Sequence, residues 1–387
     1  MNSWTLECSG CDVRLGGTQL ASVCPACGQP FLVRYALSPM DRAVLRPTWD
    51  MWRYAALLPL AEAEMPVTLG EGATPLLESP ELARAVGVRR MWIKDEGLNP
   101  TASFKARGMS AAVTRARALG VPGLVVPTAG NAGAALAAYG AAAGLPVRVF
   151  APETTPSPIL RTIVALGAEL VTVSGHIGDA GRRARESAAE TGFFDMSTLR
   201  EPYRIEGKKT MGLELAEQLG WDLPDAVIYP TGGGTGLIGM WKGFAEMRQV
   251  GWLSADKPMP RMITAQAEGC APIVRAFREG ADHAAPWPNP DTHASGLRVP
   301  GPLGDRLILR VLRESGGDAA AVSEDAIRSA TAELATKSGV DAAPEGGCAL
   351  AVCRLLVNEH RLARDASVLL FNTGSGASYR FEEWPTL

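Results

Sequence analysis

At 387 residues the chain is too long for one ordinary hydrophobic core and suits two domains. Hydrophobic residues make up 47% and charged residues 20%, a globular composition. The formal charge of −3, with no local run of Lys or Arg, argues against a nucleic-acid footprint.

No apolar run reaches membrane-spanning length. The start, MNSWTLECSG, has neither the basic region nor the apolar region of a secretory signal. A cytoplasmic enzyme with reduced thiols is expected, without nucleic-acid or membrane partners. Residues 1–35 form a Cys-rich segment, with Cys8 and Cys11 in CSGC and Cys24 and Cys27 in CPACG. Two Cys-x-x-Cys knuckles at this spacing suit tetrahedral thiolate ligation of a structural zinc ion. Such a short segment cannot bury a core alone, so the ion would supply it. A ribbon that has lost its metal and a redox pair are the alternatives. Cys270, Cys348 and Cys353 are scattered and read as small apolar residues.

Residues 36–67 form a linker of short helices around TWDMWRYAALLPLAEAEMP. From 105 to 200 the text alternates. GLVVPT (123–128) reads as a strand and AGAALAAYGAAAG (132–144) as a helix. VRVFAP (147–152) and AELVTVS (168–174) are strands, while SPILRTIVALG (157–167) and IGDAGRRARESAAETG (177–192) are helices. The pattern resumes with KKTMGLELAEQLG (208–220) as a helix, DAVIYPT (225–231) as a strand, LIGMWKGFAEMR (237–248) as a helix and RMITAQAE (261–268) as a strand. APWPNPDTHASG (285–296) is a loop. Ser323 caps a helix over 324–339, and SVLLFNTG (367–374) is a strand entering a Gly-rich turn. Such alternation means βαβ units and parallel sheet covered on both faces.

Four stretches stand at strand ends or helix starts, where open parallel sheets bind ligands. They are SFKARG (103–108), TAGNAG (128–133), TGGGTG (231–236) and NTGSG (372–376). TGGGTG precedes a helix, so free amides and the positive helix end converge there on an anion. It lacks a P-loop lysine, which argues against a triphosphate. Gly234-Thr235-Gly236-Leu237-Ile238-Gly239, followed by a strand ending at Glu268, also fits a dinucleotide fingerprint. That oxidoreductase reading leaves Lys105, Asn131 and Thr373 without work. Pyridoxal phosphate uses all four loops. It needs a Schiff-base lysine, a phosphate cradle, a partner for its pyridine nitrogen and a group on its ring oxygen. An apolar neighbour and nearby Arg107 would lower the Lys105 pKa and keep its amine nucleophilic.

GEGATPLLES, KDEGLNPTASFKARGM, the Gly-Asn turn, EPYRIEGKKT, TGGGTG and NTGSG occur in the order seen in threonine synthases, and over residues 68–380 the chain resembles that family. Some members also carry an N-terminal Cys-rich ribbon. The resemblance implies an α/β fold-type II enzyme with two doubly wound α/β domains. The larger would take residues 68–104 and 201–387, and the smaller 105–200. It also implies a homodimer, an amino-acid substrate and threonine biosynthesis from O-phosphohomoserine. Lys105 would be the Schiff-base lysine and acid/base. Asn131 would bond the ring oxygen, and Gly232, Gly233, Gly234 and Thr235, with Gly236 close by, would hold the phosphate. Thr373 would face the pyridine nitrogen. Thr128, Arg204 and Lys209 would bind substrate. For Arg204 and Lys209 the alternative is a structural ion-pair cluster with Glu201 and Glu206. Ala106, Ala129, Ala132 and Gly133 depart from the family pattern, removing three hydroxyls from the Gly-Asn loop. That departure favours a threonine/serine dehydratase or another β-replacement enzyme. A zinc-ribbon binding module on a degenerate enzyme body is the non-enzymatic alternative, against which an intact Lys105 speaks.

Overall fold

The structure is a computed structural model and describes residues 3–380. The N-terminal ribbon is an antiparallel sheet of β1 (Trp4–Cys8), β2 (Arg14–Gly16) and β3 (Phe31–Tyr35), with β1 central. The linker holds two short 3-10 helices, Arg42–Val44 and Met51–Leu57. Then come β4 (Leu76–Glu78), α1 (Pro80–Val86) and β5 (Arg90–Asp95). The alternating stretch gives α2 (Lys105–Ala118), β6 (Leu124–Pro127), α3 (Asn131–Ala143), β7 (Val147–Pro152), α4 (Ser157–Ala165), β8 (Glu169–Val173), α5 (Ile177–Thr191) and β9 (Phe194–Asp195). The rest holds α6 (Tyr203–Gln218), β10 (Ala226–Pro230), α7 (Thr235–Gln249), β11 (Arg261–Ala267), α8 (Pro272–Arg278), α9 (Asp305–Glu314), β12 (Asp318–Val322), α10 (Glu324–Ser338), α11 (Pro344–Asn358) and β13 (Ser367–Asn372).

Two sheets follow from these strands. One is parallel, in the order β8-β7-β6-β9. The other runs β12-β11-β10-β13-β5-β4 and is parallel except for β4, which lies antiparallel to β5 at the edge. The last strand in sequence, β13, is inserted between β10 and β5. The loops after β5, β10 and β13 therefore open on the same end of one sheet, where ligands bind. The ribbon is not detached: its Leu6, Phe31 and Val33 belong to the same apolar cluster as Ala112, Val113 and Ala116 of α2.

The Ala- and Gly-rich text of α3 is a helix buried on most sides. Small side chains let it sit close to α2 and β7. Helix α6 begins at Tyr203, five residues before the start expected from KKTMGLELAEQLG. YRIEGKKT buries its charges, Glu206 and Lys209 as a close pair and Lys208 against a backbone carbonyl, which a hydrophobic period does not register. Gly207 marks its closest approach to α2, where a Cβ would stand 2.0 Å from the Arg107 carbonyl oxygen. Strand β5 was likewise hidden by its charges. Lys94 within it is fully buried and bonds the carboxylate of Glu214 and the carbonyl of Thr74. Ser323 caps α10 as its position predicts, accepting from the Ala326 amide at 3.3 Å.

Candidate active site

A cavity of about 760 Å³ lies between the two sheets, in the size range of small-molecule sites. Lys105, Thr128, Asn131, Gly232, Gly233, Gly234, Thr235, Gly236 and Thr373 all line it. The four loops singled out in the sequence therefore meet in space.

Lys105 is the first residue of α2 and its amine lies 4.2 Å from the centre of the Phe104 ring. The amine is lowered from 10.5 to about 7, chiefly by burial and next by the charge of Arg204, with Glu345 opposing both. At neutral pH much of it is unprotonated, the state a nucleophile needs. Arg107 was expected to lower this amine and does not. Its guanidinium is fully buried between Glu96 at 2.7 Å and Glu214 at 2.9 Å, which neutralise it. That cluster instead fixes the start of α2 against β5 and α6.

The hydroxyl of Thr128 accepts from the amides of Gly130 at 2.9 Å and Gly133 at 3.0 Å, closing the turn before α3. Gly130 sits at φ +134°, a conformation that favours glycine. The absent hydroxyl at 133 has a steric reason. A Cβ there would stand 2.6 Å from Thr128 Cγ2 and 2.8 Å from Val149 Cγ1. Asn131 starts α3, and its side chain makes no hydrogen bond among the described residues. Its amide nitrogen lies near the 372–376 loop, 3.6 Å from where a Gly374 Cβ would stand. Thr373 is pinned through its carbonyl, which accepts from the Phe104 amide at 3.0 Å. Its hydroxyl has no protein partner among the described residues.

The Gly-rich loop after β10 supplies the opposite wall. The amides of Gly232, Gly233 and Gly234 make no hydrogen bond among the described residues, and Thr235 opens the 15-residue helix α7. Converging amides at a helix N-terminus bind an anion. Side chains are excluded here by crowding: a Cβ at Gly232 would stand 2.2 Å from the Gly296 carbonyl, and one at Gly236 2.0 Å from the Tyr229 hydroxyl. The buried Tyr229 ring packs edge-on against Phe104 and Phe371. These residues fit a flat ring carrying a phosphate and an aldehyde, with an amine, an amide, a hydroxyl and an amide cradle each left with unused bonding capacity.

Arg204 and Lys209 do not line the cavity. Lys209 is fully buried in an ion-pair cluster, 2.6 Å from Glu206 and 2.7 Å from Glu246, with Lys242 completing it. Arg204 is buried as well. Its Nη1 donates to the Met196 carbonyl at 2.8 Å, and its Nε stands 3.9 Å from a Glu201 oxygen with no hydrogen-bond partner among the described residues. Its charge nevertheless reaches Lys105. Glu268, the acidic residue of the dinucleotide alternative, is exposed and away from the cavity.

Several lining residues carried no signal in the sequence. His176 and Arg185 come from α5 and its cap, Arg200 from the loop after β9, and Glu345 from the first turn of α11. Glu345 is 5% exposed and its Oε1 accepts from the Gly296 amide and the Tyr379 hydroxyl, both at 2.7 Å. In the ribbon, the Sγ atoms of Cys8, Cys11, Cys24 and Cys27 all lie within 4.8 Å of one another, a cluster that can hold a metal ion.

A buried lysine amine and free amides at a helix start, lining one cavity with both α/β sheets, match the needs of an enzyme that works through a phosphate-bearing carbonyl cofactor. The chain belongs to the family of pyridoxal-phosphate dependent enzymes, whose model matches residues 67–374. It is 35% identical over 374 residues to the threonine synthase of Methanosarcina acetivorans, covering 95% of this chain and 91% of that one. Against the threonine synthase of Mycobacterium tuberculosis it is 33% identical over 324 residues, covering 84% and 86%. Among solved structures, maize serine racemase superposes with a TM-score of 0.67 at 22% identity, covering 78% of this chain and 88% of that one. A T.th. threonine deaminase gives 0.64 at 29% identity, covering 81% and 94%.

Proposed function

We propose that this chain is a threonine synthase, a lyase converting O-phosphohomoserine and water to threonine and phosphate. One observation carries the reading. The loops that share one cavity around Lys105 belong to a chain that matches threonine synthases over most of its length. Pyridoxal phosphate, when bound, supplies an electron sink for charge developing on the amino-acid Cα. Lys105 would take its aldehyde carbon and Asn131 its ring oxygen. Gly232, Gly233, Gly234, Thr235 and Gly236 would hold its phosphate, and the Thr373 hydroxyl would face its ring nitrogen.

The protein's own residues then do the positioning and proton transfer. Lys105, with its amine near neutrality, takes the α-proton of the bound amino acid and later returns it. The Thr128 turn presents backbone amides to the substrate carboxylate. Arg204 is buried outside the cavity lining and bears on the site through its charge, which helps hold the Lys105 amine low. Lys209 is committed to Glu206 and Glu246 and serves the helix instead. The four-cysteine cluster would hold a structural zinc ion, since four thiolates leave no position open for chemistry. A homodimer, on the family resemblance alone, and a cytoplasmic location complete the reading.

A threonine or serine dehydratase is the second reading. It is favoured by Ala129, Ala132 and Gly133 in the Asn131 loop, where hydroxyls are missing. One experiment separates the two. Protein loaded with pyridoxal phosphate is given O-phosphohomoserine, and threonine and phosphate are quantified together. Equal amounts of both support the synthase. No phosphate, with a 2-oxo acid formed from threonine or serine, supports the dehydratase.

A further inference from the structure

A second lysine stands beside the first and has no carboxylate partner among the described residues. Lys208, on α6, is fully buried. Its amine donates to the Phe104 carbonyl, the peptide group from which Lys105 projects. The same amine lies 4.1 Å from the centre of the Phe104 ring, against 4.2 Å for Lys105. One aromatic ring therefore receives both amines. Gly108 makes the room, since a Cβ there would stand 2.8 Å from Lys208 Cε. The neighbouring acids are committed elsewhere: Glu96 and Glu214 to Arg107 and Lys94, Glu206 to Lys209 and Lys242, and Glu201 to the first amides of α6.

We propose that Lys208 is a positioning residue for Lys105: its amine holds the Phe104 carbonyl and ring, and so fixes the backbone from which Lys105 reaches the cavity. The charges around it support a neutral donor. Burial first, then the cations of Lys105, Arg204 and Arg107, hold the Lys208 amine well below its ordinary range, with Glu96 opposing them. A neutral amine still donates a hydrogen bond. It also avoids the cost of an unpaired buried charge. The role of Lys208 thus rests on donation to a carbonyl. The inference depends on Lys105 being the reactive amine, as proposed above.

Two substitutions separate donation from bulk or charge. Lys208→Gln keeps a neutral donor, and Lys208→Met keeps the length without one. The first readout needs neither substrate nor cofactor. Full-length protein stripped of cofactor is acylated with acetic anhydride across a pH series, and Lys105 modification is quantified by peptide mass. The second readout is turnover of loaded enzyme, separated into kcat and KM. Lys208→Met is expected to displace the Lys105 labelling profile and to lower kcat by about 10²-fold, with KM nearly constant, as for loss of alignment at a reacting group. Lys208→Gln is expected to restore both to within about threefold, well short of the misalignment loss. If Lys208→Met does not accumulate as folded protein, Gly108→Ala, which pushes on Lys208 Cε, should displace the labelling profile in the same way. An unchanged profile in Lys208→Met or Gly108→Ala, or equal impairment in the Gln and Met variants, overturns the proposal. Failure of the wild-type protein to make threonine would overturn the substrate reading instead, and would leave the labelling result standing.

Discussion

Stability of the cofactor-free protein should depend on pH through Lys105. Its amine moves from an ordinary 10.5 to about 7 on folding, with burial the largest cause. Below about pH 7 both folded and unfolded chains hold this proton, and the folded state carries the full cost of a buried charge. Between about 7 and 10.5 the unfolded chain binds more protons than the folded one, so stability rises with pH. Above that interval the cost is gone. The interval corresponds to about 5 kcal/mol at 1.36 kcal/mol per pH unit. Because the amine borders a solvent-accessible cavity, about 2–3 kcal/mol is the expected size. Urea unfolding of cofactor-free wild type and Lys105→Met at about pH 6 and about pH 10 measures it, the variant cancelling the titrations that do not couple to Lys105, with Lys208 the neighbour that does. Lys105→Met should be the more stable protein at low pH, and its advantage should shrink by that amount at high pH. Parallel curves would refute the reasoning.

Further expectations concern the walls of the site and the ribbon. Gly236→Ala places a methyl 2.0 Å from the Tyr229 hydroxyl. It should cost about 1–3 kcal/mol by overpacking and weaken cofactor binding, measured by absorbance titration. Lys209→Met leaves Glu206 and Glu246 short of one cation. It should lower stability by about 3–5 kcal/mol without raising KM, whereas Arg204→Met should shift the titration of the Lys105 amine upward, read from the pH dependence of turnover. A raised KM in the Lys209 variant would restore it to the substrate site. Cys24→Ser should abolish binding of zinc and lower the Tm. Full metal content in that variant, measured by elemental analysis, would count against a four-thiolate site.

Much of the fold is written in local pattern. The runs 123–128, 147–152 and 168–174 are apolar and short, the intervening segments are Ala-rich with clear ends, and each became the expected strand or helix. Among the elements that escaped, which include α1, α8, α9, β12 and α11, β5 and the first turn of α6 did so while burying charge. Lys94, Glu214, Arg107 and Glu96 neutralise one another at distances only the tertiary fold creates, so hydrophobic periodicity cannot register them. The cavity was legible where backbone must approach a ligand, because glycine and small polar residues mark those loops in any sequence. Glu345, His176, Arg185 and Arg200 stand on ordinary-looking helices and loops and reach the cavity only through chain crossing. Lys209 shows the converse: its charge in YRIEGKKT suits a clamp or an ion-pair cluster equally in the sequence, and it lies in the cluster, with Glu206 and Glu246.

The most direct measurement is to reduce the pyridoxal-phosphate-loaded protein with borohydride, digest it and locate the modified lysine by mass spectrometry. The account predicts one phosphopyridoxyl group on the peptide containing Lys105, and none in Lys105→Ala. Modification of Lys208 or another lysine, or a variant lacking Lys105 that remains yellow and active, would contradict it.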